Sequence, residues 1–321
     1  MTMKKVVVAG GTGFLGRSLS THLTARGYQP VILTRSPKTT NDIREIVWDG
    51  LTPGDWVHEL EGAVAVVNLA GRSVDCRYHE RNRRLIMESR VNSTRVIGEA
   101  IAKCKTPPPV WLNASTATIY KHTFGPPWNE SGEIRGTSEA KDEFSVEVAT
   151  AWERTLNEAQ TPLTRKVAMR SALVLGAEKN SVFPVLRRLA RLGLGGKMGD
   201  GRQFVSWIHQ TDFCRAVEWL IAKENFNGPV NIAAPHPVTN REMMETFREI
   251  CGVPVGLPAA RWMLEVGAFV LRTETELVIK SRHVTPQRLI ESGFAFQFPC
   301  LRQALKDLQN DTLGKWNADS K

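Results

Sequence analysis

An apolar run, Lys5–Ala9, ends in Gly10-Gly11-Thr12-Gly13-Phe14-Leu15-Gly16, and a helix-period pattern begins at Phe14 and continues to Ala25. A strand that gives way to a helix over so few residues needs unusual backbone freedom, and glycines at three-residue spacing supply it. Gly10 allows the tight turn. Gly13 has no side chain to hold a ligand off the backbone, and Gly16 lets helix and strand come close. The helix start then presents unpaired N–H groups and partial positive charge to an anion. The unit predicts a pyrophosphate site, and so a bound dinucleotide, contacted by Gly10, Gly11, Thr12, Gly13, Phe14, Leu15 and Gly16.

The same alternation continues. Pro30–Thr34, Glu45–Trp48, Ala63–Ala70, Val110–Ala114 and Lys166–Leu175 read as strands, and 79–103 and 140–159 as helices. Continuous apolar strands separated by amphipathic helices predict an α/β fold, a Rossmann doubly wound parallel sheet covered on both faces. Beyond residue 175 the pattern loosens. Gly193–Gly201 reads as a loop, Phe204–Ile208 as a strand, Asp212–Ala222 as a helix and Pro229–Ala233 as a strand. Thr239-Asn240-Arg241-Glu242 has capping-box spacing and predicts a helix to Ile250. This divides the chain into a dinucleotide-binding domain, 1–175, and a smaller C-terminal α/β substrate lobe, 176–321, with 204–233 able to return to the first.

The end of the second strand usually selects the cofactor: an acid there binds the ribose hydroxyl of NAD(H), whereas Arg accepts the extra phosphate of NADP(H). Here it reads Leu33-Thr34-Arg35-Ser36, with no acid. Arg35 offers planar charged donors to a phosphate, so NADP(H) is expected ahead of NAD(H).

Composition narrows the function classes. The formal net charge of +9 would draw anions, but Arg81–Arg84 and Arg187–Arg191 lie in helix-period patterns and read as solvated helix faces. Neither nucleic acid nor membrane is expected as a partner. The five cysteines are scattered without a CxxC pair, which argues against a disulfide framework and a structural metal site. Met263–Leu271 is short and interrupted by Glu265, so it reads as a packed helix. The strand starting near Lys4 is expected to leave no room for a leader, which makes a cytoplasmic location the expectation.

These residues resemble the extended short-chain dehydrogenase/reductase superfamily, the NAD-dependent epimerase/dehydratases. Gly10, Gly13 and Gly16 match its glycine turn. Asn68-Leu69-Ala70-Gly71 is similar to its fourth-strand segment, which implies Leu69, Ala70 and Gly71 as cofactor contacts. Val91-Asn92-Ser93-Thr94 resembles its helix motif with a structural Asn, and Ser206–Asp212 its W-I-H-x-x-D segment. Gly228–Pro235 and Pro286–Leu289 resemble one bacterial branch associated with sugar-nucleotide epimerases.

The superfamily's chemistry implies a Ser or Thr hydroxyl and a Tyr–Lys pair spaced YxxxK. Ala114–Tyr120 resembles the hydroxyl segment, and Ser115 or Thr116 fills that position. The pair is missing: four residues beyond Tyr28, Tyr78 and Tyr120 stand Ile32, Asn82 and Phe124, and at the expected place are Phe144 and Val148. Neither can move a proton. Tyr120 is the phenol nearest in sequence, with Lys141, Glu143 and Glu147 close to the vacated positions. Trp128 and Trp207 fit either a cleft wall or the core. Two functions follow from this pattern. One is an atypical NADP(H)-dependent oxidoreductase acting on a carbonyl or sugar-like small molecule, with Ser115, Thr116 and Tyr120 as its catalytic set. The other is a non-catalytic NADP(H)-binding sensor or interaction protein.

Overall fold

The computed structural model describes residues 4–38, 43–260, 263 and 274–319. Apart from Met263, the expected Met263–Leu271 helix lies outside them. Seven parallel strands form the central sheet: β1 (Lys4–Ala9), β2 (Tyr28–Thr34), β3 (Arg44–Val47), β4 (Ala65–Asn68), β5 (Val110–Thr116), β6 (Arg165–Ser171) and, from much later in the chain, β10 (Gly228–Ile232). Their order across the sheet is β10-β6-β5-β4-β1-β2-β3. The order reverses beside β1, and a doubly wound sheet opens a crevice at such a point, at the carboxyl ends of its strands.

The β1 pleat divides the core. Val6 and Val8 face one side, with Leu19 and Leu23 of α1 (Phe14–Ala25) and Phe213, Val217 and Leu220 of α5 (Gln210–Ala222). Val7 and Ala9 face the other, with Val96 and Ile97 of α2 (Glu80–Ile101) and Leu156 of α3 (Glu143–Glu158). Alternate residues therefore serve two helical layers, which is why the strand reads as unbroken apolar sequence.

Two expected strands are each divided. Lys166–Leu175 breaks at Ala172 into β6 and β7 (Leu173–Leu175), and β7 leaves the sheet to pair with β9 (Trp207–His209). Phe204–Ile208 splits into β8 (Phe204–Val205), which pairs with β11 (Val238–Thr239), and β9. Apolar periodicity is blind to such a change of partner, because a strand stays buried as it passes from one sheet to another.

The second core joins α4 (Val182–Arg191), α6 (Asn240–Cys251) and α9 (Leu301–Asp319) through Phe183, Trp207, Met243, Phe247, Leu305 and Leu308. Trp207 is thus core, and Trp128 is half-buried. The capping box of α6 is complete: Glu242 N–H donates to Thr239 Oγ1, and Thr239 N–H donates to Glu242 Oε2. Two short helices, α7 (Glu276–Ile279) and α8 (Gln287–Glu291), complete the described elements. Among the described residues no helix is long and apolar enough to cross a membrane, and no group of three His, Cys, Asp or Glu is placed to hold a metal.

Candidate active site

Because the seven strands are parallel, the residues that follow β1, β2, β4 and β5 collect along one sheet edge. Gly10 has φ +74°, a conformation that excludes most side chains, and a Cβ on it would stand 2.9 Å from the Ala70 backbone. The turn after β1 and the segment after β4 therefore touch. A Cβ on Gly16 would lie 2.4 Å from Gly11 Cα, so this glycine seats α1 against the turn itself. Gly13 differs from both: a Cβ there would meet only the Gly10 carbonyl oxygen, at 3.6 Å. The backbone is open where an incoming group would approach. No side chain caps α1, and its first turn carries no acid, so its leading N–H groups point at that open space. These features fit a dinucleotide pyrophosphate.

Neighbouring residues stiffen the cradle. Thr12 Oγ1 lies 3.3 Å from Thr34 Oγ1, and Arg17 Nε donates to Thr12 O at 2.7 Å. Phe14 lies against Gly176, where any Cβ would be 2.2 Å from the ring. Arg35 follows β2 and is exposed. Leu69 N–H donates to Ala9 O, and Ala70 N–H to Asn68 Oδ1. Behind them Asn68, Thr94, Asn113 and Trp152 form a buried hydrogen-bonded cluster, with Trp152 Nε1 donating to Thr94 Oγ1 at 2.9 Å. Within the Val91–Thr94 motif, Thr94 rather than Asn92 enters this cluster. Arg90 supports the loop after β4: its Nη1 donates to the carbonyls of Arg72 and Ile86, and its guanidinium lies 5.1 Å from the Trp152 ring centroid. Burial pulls the Arg90 pKa down to about 10. Sequence reasoning missed Arg90 and Gly176, because Trp152 and Phe14, which they meet, are distant in the chain, and missed Arg17, whose contact with the Thr12 carbonyl has no sequence signature.

The hydroxyl segment divides by pleat. Ser115 is buried and donates its one proton to Glu153 Oε1 at 2.6 Å. Thr116 is half-buried, and its Oγ1 accepts from Thr118 N–H at 3.1 Å, so its own proton remains available. Tyr120, 1% exposed, donates to Asn231 Oδ1 and accepts from Arg170 Nη1, each at 2.8 Å. Burial pushes its phenol up to about 12. These partners commit Ser115 and Tyr120 to the interior and withdraw both from the expected catalytic set, leaving Thr116. Arg170 ties them together through two bonds to Glu153, Nε to Oε1 at 2.8 Å and Nη2 to Oε2 at 2.7 Å.

At the vacated Tyr–Lys positions, Phe144 and Val148 pack with Ile86 and the half-buried Val74, Cys76, Tyr78 and Met87. Glu143 and Glu147 are exposed on α3, and Lys141 precedes it with φ +56°. His209 Nδ1 accepts from Thr211 N–H at the start of α5, and Asp212 accepts from the N–H groups of Gln297 and Phe298. Both therefore order the fold.

Residues 6–233 match the NAD dependent epimerase/dehydratase family. The chain belongs to this family. Residues 259–308 match a second family, described as a domain of unknown function (DUF1731). Among similar proteins, Epimerase family protein YfhF of Bacillus subtilis is 29% identical over 95% of this chain and 98% of its own. Epimerase family protein SDR39U1 of Homo sapiens is 30% identical over 95% and 99%. The crystal structure of human SDR39U1 with NADPH superimposes with a TM-score of 0.83 over 95% of this chain and 98% of that one, at 29% identity. UDP-N-acetylglucosamine 4-epimerase from Bacillus cereus, at 20% identity and a TM-score of 0.74, shares the fold.

Proposed function

We propose that this chain binds NADP(H) along the edge formed by Gly10–Gly16, Arg35 and Leu69–Gly71, and reduces a carbonyl group of a small-molecule substrate without a Tyr–Lys pair. The observation that carries the reading is the open backbone at Gly13 beneath the uncapped start of α1. The similar human structure with NADPH supports the choice of cofactor. Bound NADPH would supply the hydride. Thr116 supplies a hydroxyl whose oxygen accepts from Thr118 N–H, which leaves its proton free to polarise a carbonyl oxygen. With no lysine beside a phenol at positions 144 and 148, the site lacks a strong base, which favours reduction over alcohol oxidation or reversible epimerisation.

The apolar cluster around Phe144 and Val148 also favours a second reading, a non-catalytic NADP(H)-binding sensor. A panel of aldehydes and ketones followed by loss of NADPH absorbance separates the two. Turnover that drops at least tenfold in Thr116→Val supports the reductase. Tight NADPH binding with no turnover supports the sensor.

Arg35 is expected to set cofactor preference. A charge-assisted contact contributes about 1.5–3 kcal/mol, or about 10- to 150-fold in affinity. Arg35→Ala should weaken NADPH by that factor and NADH little in fluorescence titrations. Added salt should narrow the wild-type difference. Equal weakening of both cofactors would show that Arg35 does not read the phosphate.

A further inference from the structure

We infer that two loop tips beside the end of α4 attach the protein peripherally to an anionic bilayer surface. Leu192, Leu194, Val255 and Leu257 enter the headgroup layer, and Arg188 and Arg191 meet lipid phosphates. The inference goes beyond cofactor binding and does not depend on the reductase reading. Helix period alone makes Arg187–Arg191 a solvated face, and from charge alone no membrane is expected. The fold changes this by setting apolar side chains beside those arginines.

α4 turns Phe183, Leu186 and Ala190 into the second core. Val185, Arg188 and Leu192 follow at helical spacing on the opposite face, and all three are exposed. The chain then turns at Gly193, φ +75°. Residues 193–199 run alongside 257–259. Leu257 N–H donates to Gly193 O at 2.7 Å, Gly196 N–H to Leu257 O at 3.1 Å, and Ala259 N–H to Lys197 O at 3.0 Å. Glycines let the segments close: a Cβ on Gly256 would lie 2.6 Å from the Gly195 carbonyl carbon. The loops that follow α4 and α6 therefore form one surface. On it Leu192, Leu194, Val255 and Leu257 are 62%, 47%, 70% and 63% exposed. Four aliphatic side chains this open, on adjoining loops, form a patch rather than scattered surface residues.

The charge around the patch has one sign. Residues 181–199 carry Arg187, Arg188, Arg191 and Lys197 and no acid, and residues 250–260 carry no charge. Arg188 and Arg191 are exposed and form no ion pair with a described residue. On α6, Glu249 is taken by Arg302, and Arg248 donates to Gly195 O. Aliphatic tips beside such arginines complement a bilayer that contains anionic lipid. The apolar area enters the boundary below the headgroups, and the guanidinium groups bind phosphate. A second copy of the chain fits less well, because two-fold pairing of the patch sets one basic surface against another. Nucleic acid fits less well too, because the tips offer no aromatic ring on which a base could stack. Peripheral attachment needs no spanning helix, and none is found among the described residues.

The test is co-sedimentation of the full chain with phosphatidylcholine vesicles, with and without phosphatidylglycerol. The protein is expected to bind the anionic vesicles at least about tenfold more tightly, with added salt narrowing the gap. Leu192→Ser with Leu257→Ser should lose at least about tenfold in affinity for them. Arg188→Gln with Arg191→Gln should lose about tenfold in low salt and little in high salt. Leu163→Ser is the control: Leu163 is 75% exposed before β6, at the amino-terminal edge of the sheet, and its loss should change nothing. Circular dichroism should match wild type in every variant. Wild-type protein that stays in the supernatant with anionic vesicles overturns the proposal. Full binding by the leucine pair variant also overturns it, since only diffuse charge would then be at work, as does an equal loss in Leu163→Ser. An oligomer that light scattering detects and the leucine pair variant dissolves, without vesicle binding, overturns it in favour of a second copy. Binding of a soluble acidic protein at the patch, without vesicle binding, overturns it in favour of a protein partner.

Discussion

Gly13→Val is expected to abolish nucleotide binding and leave the fold intact. The reason is geometric. Gly13 has φ −71° and ψ 173°, which any residue adopts, and a Cβ there meets nothing closer than the Gly10 carbonyl oxygen at 3.6 Å. A valine is therefore accommodated in the free protein, and its branches fill the space through which a pyrophosphate reaches the amides at the start of α1. The loss of NADPH affinity should exceed about 100-fold, roughly 2.8 kcal/mol, by fluorescence titration, with an unchanged circular dichroism spectrum. Gly16→Ala is the informative control. Its Cβ would stand 2.4 Å from Gly11 Cα, so it should destabilise by about 1–3 kcal/mol. A folded Gly13→Val protein with normal affinity would remove the turn from the binding site.

The second large effect is expected at the Glu153–Arg170 pair. Both side chains are buried, 11% and 5% exposed. Burial disfavours the Arg170 charge, but the hydrogen bonds and charge of Glu153, with a smaller contribution from Tyr120, outweigh it and hold the guanidinium ionised. Glu153→Ala leaves that charge buried with Tyr120 and the Glu130 carbonyl as its remaining hydrogen-bond partners, and also frees Ser115. Removing one partner of a buried pair costs about 3–5 kcal/mol. Urea denaturation should show a loss of that size, whereas Glu153→Leu with Arg170→Met should recover most of it, because no charge is then left unpaired. A Glu153→Ala midpoint close to wild type would mean that Arg170 finds water or another partner.

Local geometry was legible in the sequence, and so was the class of fold. The Gly10–Gly16 turn, the apolar strands, the Thr239–Glu242 capping box and the loss of the Tyr–Lys pair at Phe144 and Val148 each depend on residues close in the chain or on hydrophobic period. Such signals survive without knowledge of long-range contacts. They sufficed for a doubly wound sheet and for the open glycine turn at the carboxyl end of β1. They did not separate Ser115 from Thr116, since adjacent strand residues look alike until the pleat assigns them to opposite faces.

Which hydroxyl-bearing side chains are enclosed was decided by tertiary structure. Tyr120 looked available because it follows the hydroxyl segment, but Arg170 and Asn231, 50 and 111 residues further along the chain, close over its hydroxyl. By itself the sequence determined that a strand, a glycine turn and a helix would form a cradle for an anion, because backbone freedom and helix period are local properties. Which hydroxyl is enclosed and which remains open was decided only by the folded chain, because burial and hydrogen bonding depend on which distant segments meet.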